Sequence, residues 1–301
     1  MSSQFTFRGV ATALVTPMLP NGDVDEQALR RLVEFQIENG INGLVPVGTT
    51  GESATLSHPE HHHVMDVVTA QANGRVPLIV GAGSNSTREA ISLTQHARAI
   101  GASAALSVAP YYNKPTQQGF FEHYKAITEA VDIPVFVYNV PGRTGSNINA
   151  ETTLRLAELP GIAGIKEASG NIPQVMEILR HRPNNFVVLS GDDALTFPMM
   201  ALGGDGVISV VSNEVPAPFS QMVKLCLEGK FLEARAIHNR LLALMNINFI
   251  ESNPIPVKSA LAMMGMINEV FRLPLTRMSM DNRIKLRRVL EELSLLEQSV
   301  K

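Results

Sequence analysis

Eight short apolar runs recur along the chain, and most of them end in small or polar residues. They occupy positions 9–17, 43–51, 77–84, 104–112, 134–142, 162–169, 186–193 and 205–213. Each is nearly continuous rather than alternating, as expected of parallel strands buried on both faces. Helical patterns separate most of them. Residues 25–40 carry apolar side chains at 28, 29, 32, 33 and 37 and stop at Gly40, which is helical spacing with a helix-ending residue. Segment 57–71 opens with Ser57 three residues before Glu60, the spacing of a capping box. Segments 87–101, 149–161 and 172–181 complete the central pattern. From about Pro216 the strand signals stop, and 221–250, 256–267 and 281–298 all read as helices.

Eight strands alternating with helices over about 210 residues is the arithmetic of an α/β fold, the (β/α)8 TIM barrel. A doubly wound open sheet is the competitor. It usually has fewer strands and carries a phosphate-binding fingerprint after the first one, and run 9–17 contains no G-x-G-x-x-G. The expected organisation is a catalytic barrel at 1–225 followed by a C-terminal helical domain at 226–301. No internal repeat and no low-complexity linker separates the two, so the helical appendage is expected to pack on the barrel.

Composition narrows the function classes. The chain has 301 residues, 45% hydrophobic and 18% charged, which excludes a disordered, collagen-like or coiled-coil chain. Its net charge of −3 advertises neither nucleic-acid nor anionic-membrane binding. One cysteine, Cys226, leaves no internal disulfide and fits a reducing, cytoplasmic compartment. The N-terminus lacks a signal-peptide pattern, and no run reaches the ~18 apolar residues of a membrane span. A soluble protein with no membrane partner is expected.

In a barrel of this kind, functional groups sit where the strands end. The second run ends in Gly48-Thr49-Thr50-Gly51-Glu52, the fourth in Tyr111-Tyr112-Asn113, the fifth in Tyr138-Asn139 with Arg143 beyond, the sixth in Lys166-Glu167, and the seventh in Gly191-Asp192-Asp193. Lys166 is the only one of eight lysines inside an apolar strand pattern. A free lysine with a pKa near ~10.4 is less than about 0.1% neutral at pH 7, and lowering it to ~7–8 takes roughly 3–4 kcal/mol, which burial supplies. A neutral amine there attacks a ketone to form a Schiff base. The alternative is a lysine paired with Glu167 or snorkelling from the strand end. Tyr138 on the neighbouring strand is suited to relay protons, or else it is a hydrogen-bonded core tyrosine. The backbone N–H groups and two hydroxyls of 48–51 suit a carboxylate or phosphate, or form a plain turn. Arg143 suits a bidentate carboxylate grip, or is a solvated loop arginine. His58, His61, His62 and His63 cluster at one helix start. No HExxH and no second ligand cluster accompanies them, so a solvated or partner-facing helix start is favoured over a metal site.

Together GTTGES, YYNKPTQQG, YNVPGRTG, GIKEASG and SGDD, in that order and at strand ends, resemble the 4-hydroxy-tetrahydrodipicolinate synthase (dihydrodipicolinate synthase) family. This is a branch of the pyruvate-dependent class I aldolases that include N-acetylneuraminate lyase. The resemblance spans essentially the whole chain, including the tail motif NPIPVK. It implies that Lys166 forms the Schiff base with pyruvate and that Tyr138 donates and accepts protons. Thr49 and Tyr112 complete the relay, the latter reaching across a subunit interface. It further implies that Thr50 holds the pyruvate carboxylate, that Ile208 makes a backbone contact to pyruvate, and that Gly191 belongs to the substrate-binding set. Arg143 then receives the carboxylate of the second substrate, aspartate 4-semialdehyde.

The same resemblance rewrites the histidine cluster. Ser53, Ala54, His58, His61, Asn85, Glu89 and Tyr111 match a site at which lysine-inhibited members bind that end product. Glu89 would offset the ligand's ammonium charge and Asn85 would offer hydrogen bonds. A homo-oligomer is implied, usually a dimer of dimers. No metal or organic cofactor is implied, because Lys166 is itself the electron sink. Three other readings compete. A sugar-acid lyase of the same family usually lacks an arginine in the 143 loop. A phosphate-ligand barrel enzyme would work without an imine. A non-catalytic binding protein would not need Lys166, Tyr138, Thr49 and Tyr112 all intact.

Overall fold

The computed structural model describes residues 5–296. Eight parallel strands are present: β1 (Gly9–Ala13), β2 (Gly43–Val45), β3 (Ile79–Gly81), β4 (Ala104–Val108), β5 (Val135–Asn139), β6 (Ile162–Glu167), β7 (Val187–Ser190) and β8 (Gly206–Ser209). They lie in the order β2-β1-β8-β7-β6-β5-β4-β3. A parallel bridge between Leu44 and Leu78 joins the two ends, so the sheet closes into the expected TIM barrel. Each strand is shorter than the apolar run that announced it. The remainder of each run is loop, and those loops carry the polar residues.

Continuous apolar runs are explained by two separate cores. One face of the strands fills the barrel interior with Ala11, Val45, Ile79, Leu106, Phe136, Leu189 and Ile208, among others. The other face packs against the helices, through Val10, Leu44, Val80, Val137, Ile165 and Val188. Gly164 belongs to the interior: a Cβ there would lie 2.3 Å from the Val187 carbonyl and 2.8 Å from the Phe136 ring. Its missing side chain is the space that Phe136 fills.

The helices are α1 (Glu26–Glu38), α2 (His58–Ala72), α3 (Thr87–Ala99), α4 (Gln117–Ala130), a single turn α5 (Pro141–Thr144), α6 (Ala150–Ala157), α7 (Ile172–His181), α8 (Asp193–Ala201), α9 (Pro216–Leu227), α10 (Phe231–Ile247), α11 (Ile255–Met263) and α12 (Met280–Glu292). Helix α1 starts where Asp25 accepts the Ala28 N–H, and it buries Ala28, Leu29, Leu32 and Val33. The fifth buried position is Gln36 rather than Ile37. Gln36 accepts from the Thr12 hydroxyl at 2.6 Å and donates to the Ser212 carbonyl at 2.8 Å, so its burial leaves no unpaired amide. Helix α2 carries the expected capping box between Ser57 and Glu60.

The sequence pattern did not single out α4, α5 or α8. The expected helix at 221–250 is broken near Gly229 into α9 and α10, and Gly229 has φ +75°. Helix α9 runs unbroken through the expected division at 225/226. The expected helix at 281–298 is α12, and positions 297–298 lie outside the described residues. Among the described residues no helix is long and apolar enough to cross a membrane.

A buried ion pair helps tie the C-terminal helices to the barrel mouth. Lys258 on α11 pairs with Glu52 in the loop after β2, and both side chains are 0% exposed. Arg272 braces the same loop: it donates to the Thr55 carbonyl at 2.9 Å and pairs with Glu60 on α2. A buried pair stabilises only while both partners are present; removing one strands a charge in the interior at a cost of about 3–5 kcal/mol. Lys258→Met is therefore expected to lower stability by about that amount. The double variant Glu52→Gln/Lys258→Met should recover most of the loss, and urea unfolding of the three proteins measures both effects.

Candidate active site

The barrel mouth gathers the sequence-predicted residues from separate strands. Parallel pairing sets Tyr138 on β5 directly beside Lys166 on β6, and Lys166 beside Leu189 on β7. Side chains alternate along a strand, so Lys166 shares the interior-facing parity of Gly164, and Glu167 faces away. The Glu167 carboxylate accepts from the Asn139 and Gln174 amides at 3.0 and 3.1 Å and from the Ser169 N–H at 2.7 Å. Glu167 is therefore engaged on the outer side of the strand and is not the partner of Lys166. Nor does Lys166 snorkel: it is 6% exposed.

The Lys166 amine lies 4.2 Å from the centroid of the Tyr138 ring. Burial lowers its pKa to about 7; the Asp193 carboxylate opposes that shift and the Arg143 guanidinium adds to it. Tyr138 is buried, which raises its phenol, while Arg143 and the Thr49 hydroxyl act in the opposite direction. The phenol is thus a proton donor at neutral pH, next to an amine poised between its two forms. Gly191, after β7, gives Lys166 room. A Cβ there would lie 2.7 Å from the Ala168 side chain and 3.0 Å from the Lys166 Cε. Ile208 on β8 is buried in the barrel interior.

The loop after β2 is built for close backbone approach. Val47 and Glu52 both adopt positive φ, +48° and +55°, which is uncommon for such residues and costs free energy. Between them lie Thr49, which lines the mouth, and Thr50, which is buried and accepts from the Asn253 side-chain amide at 3.0 Å. Arg143 on α5 is exposed, yet it is not a free solvated arginine: its Nη2 donates to the Asn253 carbonyl at 3.3 Å.

A cavity of about 440 Å³ runs from this mouth toward the N-terminal end of α2. Its walls include Thr49 and Arg143 together with Ser53, Ala54, His58, His61, Glu89 and Tyr111. His58 Nε2 is 2.7 Å from the Glu89 carboxylate, whose second oxygen accepts from the Ser84 hydroxyl. The Ser84 hydroxyl and His58 hold the Glu89 carboxyl below its ordinary range despite its partial burial. His61 is buried, which lowers its pKa to about 4. Asn85 donates to the Tyr111 carbonyl at 3.1 Å and sits at the edge of this group. The four clustered histidines do not act as a unit. His62 stacks on His96 at 3.9 Å between ring centroids, and His63 pairs with Glu26.

One predicted residue is not brought in. Tyr112 is 90% exposed with φ +73° and lies off the cavity. Conversely, sequence reasoning gave no role to Asn253, Lys258 or Asp193. The first two lie in the NPIPVK motif, whose residues carry no local chemical signal. Asp193 lies in SGDD at the start of α8. Its carboxylate accepts the Val210 and Val211 N–H groups at 3.0 and 2.8 Å, and burial raises its pKa to about 6.

Comparison with known proteins places the chain and its fold among relatives of one kind. The 4-hydroxy-tetrahydrodipicolinate synthase of Prosthecochloris aestuarii is 53% identical over 295 residues, which is 98% of this chain and 99% of that protein. The chloride-inhibited dihydrodipicolinate synthase from Acinetobacter baumannii, solved in complex with pyruvate, superposes with a TM-score of 0.95 at 47% identity. The match covers 97% of this chain and 100% of that one. The dihydrodipicolinate synthase of Cyanidioschyzon merolae with lysine bound gives a TM-score of 0.94 at 43% identity, covering 96% and 99%. The model of the dihydrodipicolinate synthetase family matches residues 6–293, and the chain belongs to that family of Schiff-base-forming, class I aldolase-type lyases.

Proposed function

We propose that this enzyme is a 4-hydroxy-tetrahydrodipicolinate synthase, condensing pyruvate with L-aspartate 4-semialdehyde on the way to diaminopimelate and lysine. The observation that carries the reading is the Lys166 amine, buried beside Tyr138 with a pKa lowered to about 7. The neutral amine attacks the pyruvate keto carbon, and the carbinolamine loses water to leave the imine. The Tyr138 phenol supplies the proton that carries the oxygen away, with Thr49 beside it. The imine draws electrons from the methyl group, whose proton passes to the Tyr138 phenolate left by the first step, giving an enamine carbon. That carbon bonds to the aldehyde carbon, the imine re-forms, and the aldehyde oxygen takes that proton from the Tyr138 phenol. The substrate's own amine then attacks the imine carbon and expels Lys166, closing the ring.

Binding follows from the same residues. Thr50 takes the pyruvate carboxylate, with Gly191 and the Ile208 backbone beside the keto acid. Arg143 takes the carboxylate of the semialdehyde, a role that disfavours the sugar-acid lyase reading. The exposed Tyr112 serves the relay of a neighbouring subunit, so the working form is at least a dimer and, in this reading, a dimer of dimers. Ser53, Ala54, His58, His61, Asn85, Glu89 and Tyr111 form a lysine feedback site. The lysine-bound relative supports that assignment, as does the Glu89 carboxylate lining the cavity opposite an incoming ammonium group.

Turnover followed through a coupled reductase should be readily measured in the wild type and absent in Lys166→Ala. A Lys166→Ala variant that keeps its rate would exclude the imine mechanism. The imine also has a pH signature. Only the neutral amine attacks, so borohydride trapping of pyruvate should be half-maximal near pH 7 and fall about tenfold per pH unit below it. Stability moves in the same direction. The folded amine lies below its unfolded value of ~10.4, so the unfolded chain binds more protons between about pH 7 and ~10.4, and this group's burden on stability shrinks as pH rises through that window. Finally, Glu89→Gln should raise the lysine concentration for half-inhibition about tenfold or more, since a charge-assisted bond is lost. The inhibition curve is read against the variant's own lysine-free rate.

A further inference from the structure

Asn253 precedes α11 and touches both sides of the barrel mouth. Its side-chain Nδ2 donates to the Thr50 hydroxyl at 3.0 Å, and its backbone carbonyl accepts from Arg143 at 3.3 Å. The residue is 5% exposed and borders the cavity. Lys258, five residues on, pairs with Glu52, two residues beyond Thr50. The segment 253–258 therefore grips the loop after β2 at two buried points, one of them on Thr50 itself.

A threonine hydroxyl has one proton to give and two lone pairs to accept with. The Asn253 N–H occupies a lone pair on Thr50, which leaves the Thr50 proton free for another acceptor. A carboxylate is acceptor-only when ionised. We propose that Asn253 is a positioning residue of the condensation. By donating to Thr50 it makes that hydroxyl a donor toward the pyruvate carboxylate, and its carbonyl holds the Arg143 guanidinium where the second carboxylate arrives. The inference rests on the roles given to Thr50 and Arg143 under the proposed function.

The polarity of this bond makes a sharp test. Asn253→Asp preserves shape but replaces the donor with a carboxylate. It would accept the Thr50 proton, turn it away from pyruvate and set a negative charge near the bound anion. Asn253→Ala only removes the donor. Steady-state kinetics of the intact oligomer should show the pyruvate KM raised about three- to tenfold in Asn253→Ala and more than about tenfold in Asn253→Asp. In both variants kcat should change much less than KM. An aspartate no worse than alanine would overturn the proposal, because a space-filling side chain, or one that accepts from Thr50, tolerates its near-isostere best. If Asn253→Asp does not fold, Asn253→Ala is measured in a Thr50→Val background. No further rise in pyruvate KM is expected there, and an additive rise overturns the coupling. Borohydride trapping of pyruvate by the wild type separates the two levels. Wild type that traps nothing overturns the imine reading and this inference with it, whereas normal trapping with a mild aspartate variant overturns only the role of Asn253.

Discussion

A primary amine held inside a closed ring of strands is the constraint around which the rest of the molecule is arranged. Lys166 enters the barrel because residues on β6 alternate in and out, and it is desolvated there because its in-register neighbours, Tyr138 and Leu189, are themselves buried. Desolvation penalises the ammonium form, which is why its pKa lies at about 7 rather than near that of a free lysine. Each element near it tolerates or tempers that penalty. Gly191 leaves space for its stem. Asp193, itself tied down by two backbone N–H groups, returns some negative potential. Glu167, the adjacent acid that would have neutralised it, is kept on the other side by Asn139 and Gln174.

The second organising feature is the loop after β2. Within residues 49–54 it holds Thr49 and Thr50 at the barrel mouth and Ser53 and Ala54 on the wall of the adjoining cavity. So short a segment serves two places only if its backbone turns sharply, and the positive φ values of Val47 and Glu52 are that turn. The conformation is held from outside: Glu52 pairs with Lys258, Thr50 with Asn253, and Arg272 bonds the Thr55 carbonyl. The helical tail is thus part of the site, because it determines the shape of a loop that the barrel alone would leave under-determined.

Much of this was legible in the chain. Eight uninterrupted apolar runs specify a parallel sheet covered on both faces, since only full burial removes the need for alternation. Helical spacing located α1, and the Ser57–Glu60 capping box located the start of α2, because those signals are local. Lys166 stood out for the same reason: an ionisable residue in an apolar run announces its own desolvation. The ordered motifs at the strand ends pointed to the family, and through it to residues that spacing alone would not have identified.

What the tertiary structure decided concerns partners far apart in sequence. Whether Lys166 paired with Glu167 depended on which face each side chain took, and the barrel resolved it by turning Lys166 inward and Glu167 out. Gln36 could not be read as buried, because its acceptors and donors come from β1 and from the segment after β8. Asn253 and Lys258 looked like an ordinary helix start until the fold brought them against Thr50 and Glu52, some 200 residues earlier. Strand and helix formation follow from local periodicity and so are written in the sequence. Hydrogen bonds and ion pairs between loops depend on closure of the ring, which sets their distances only once the whole chain is in place.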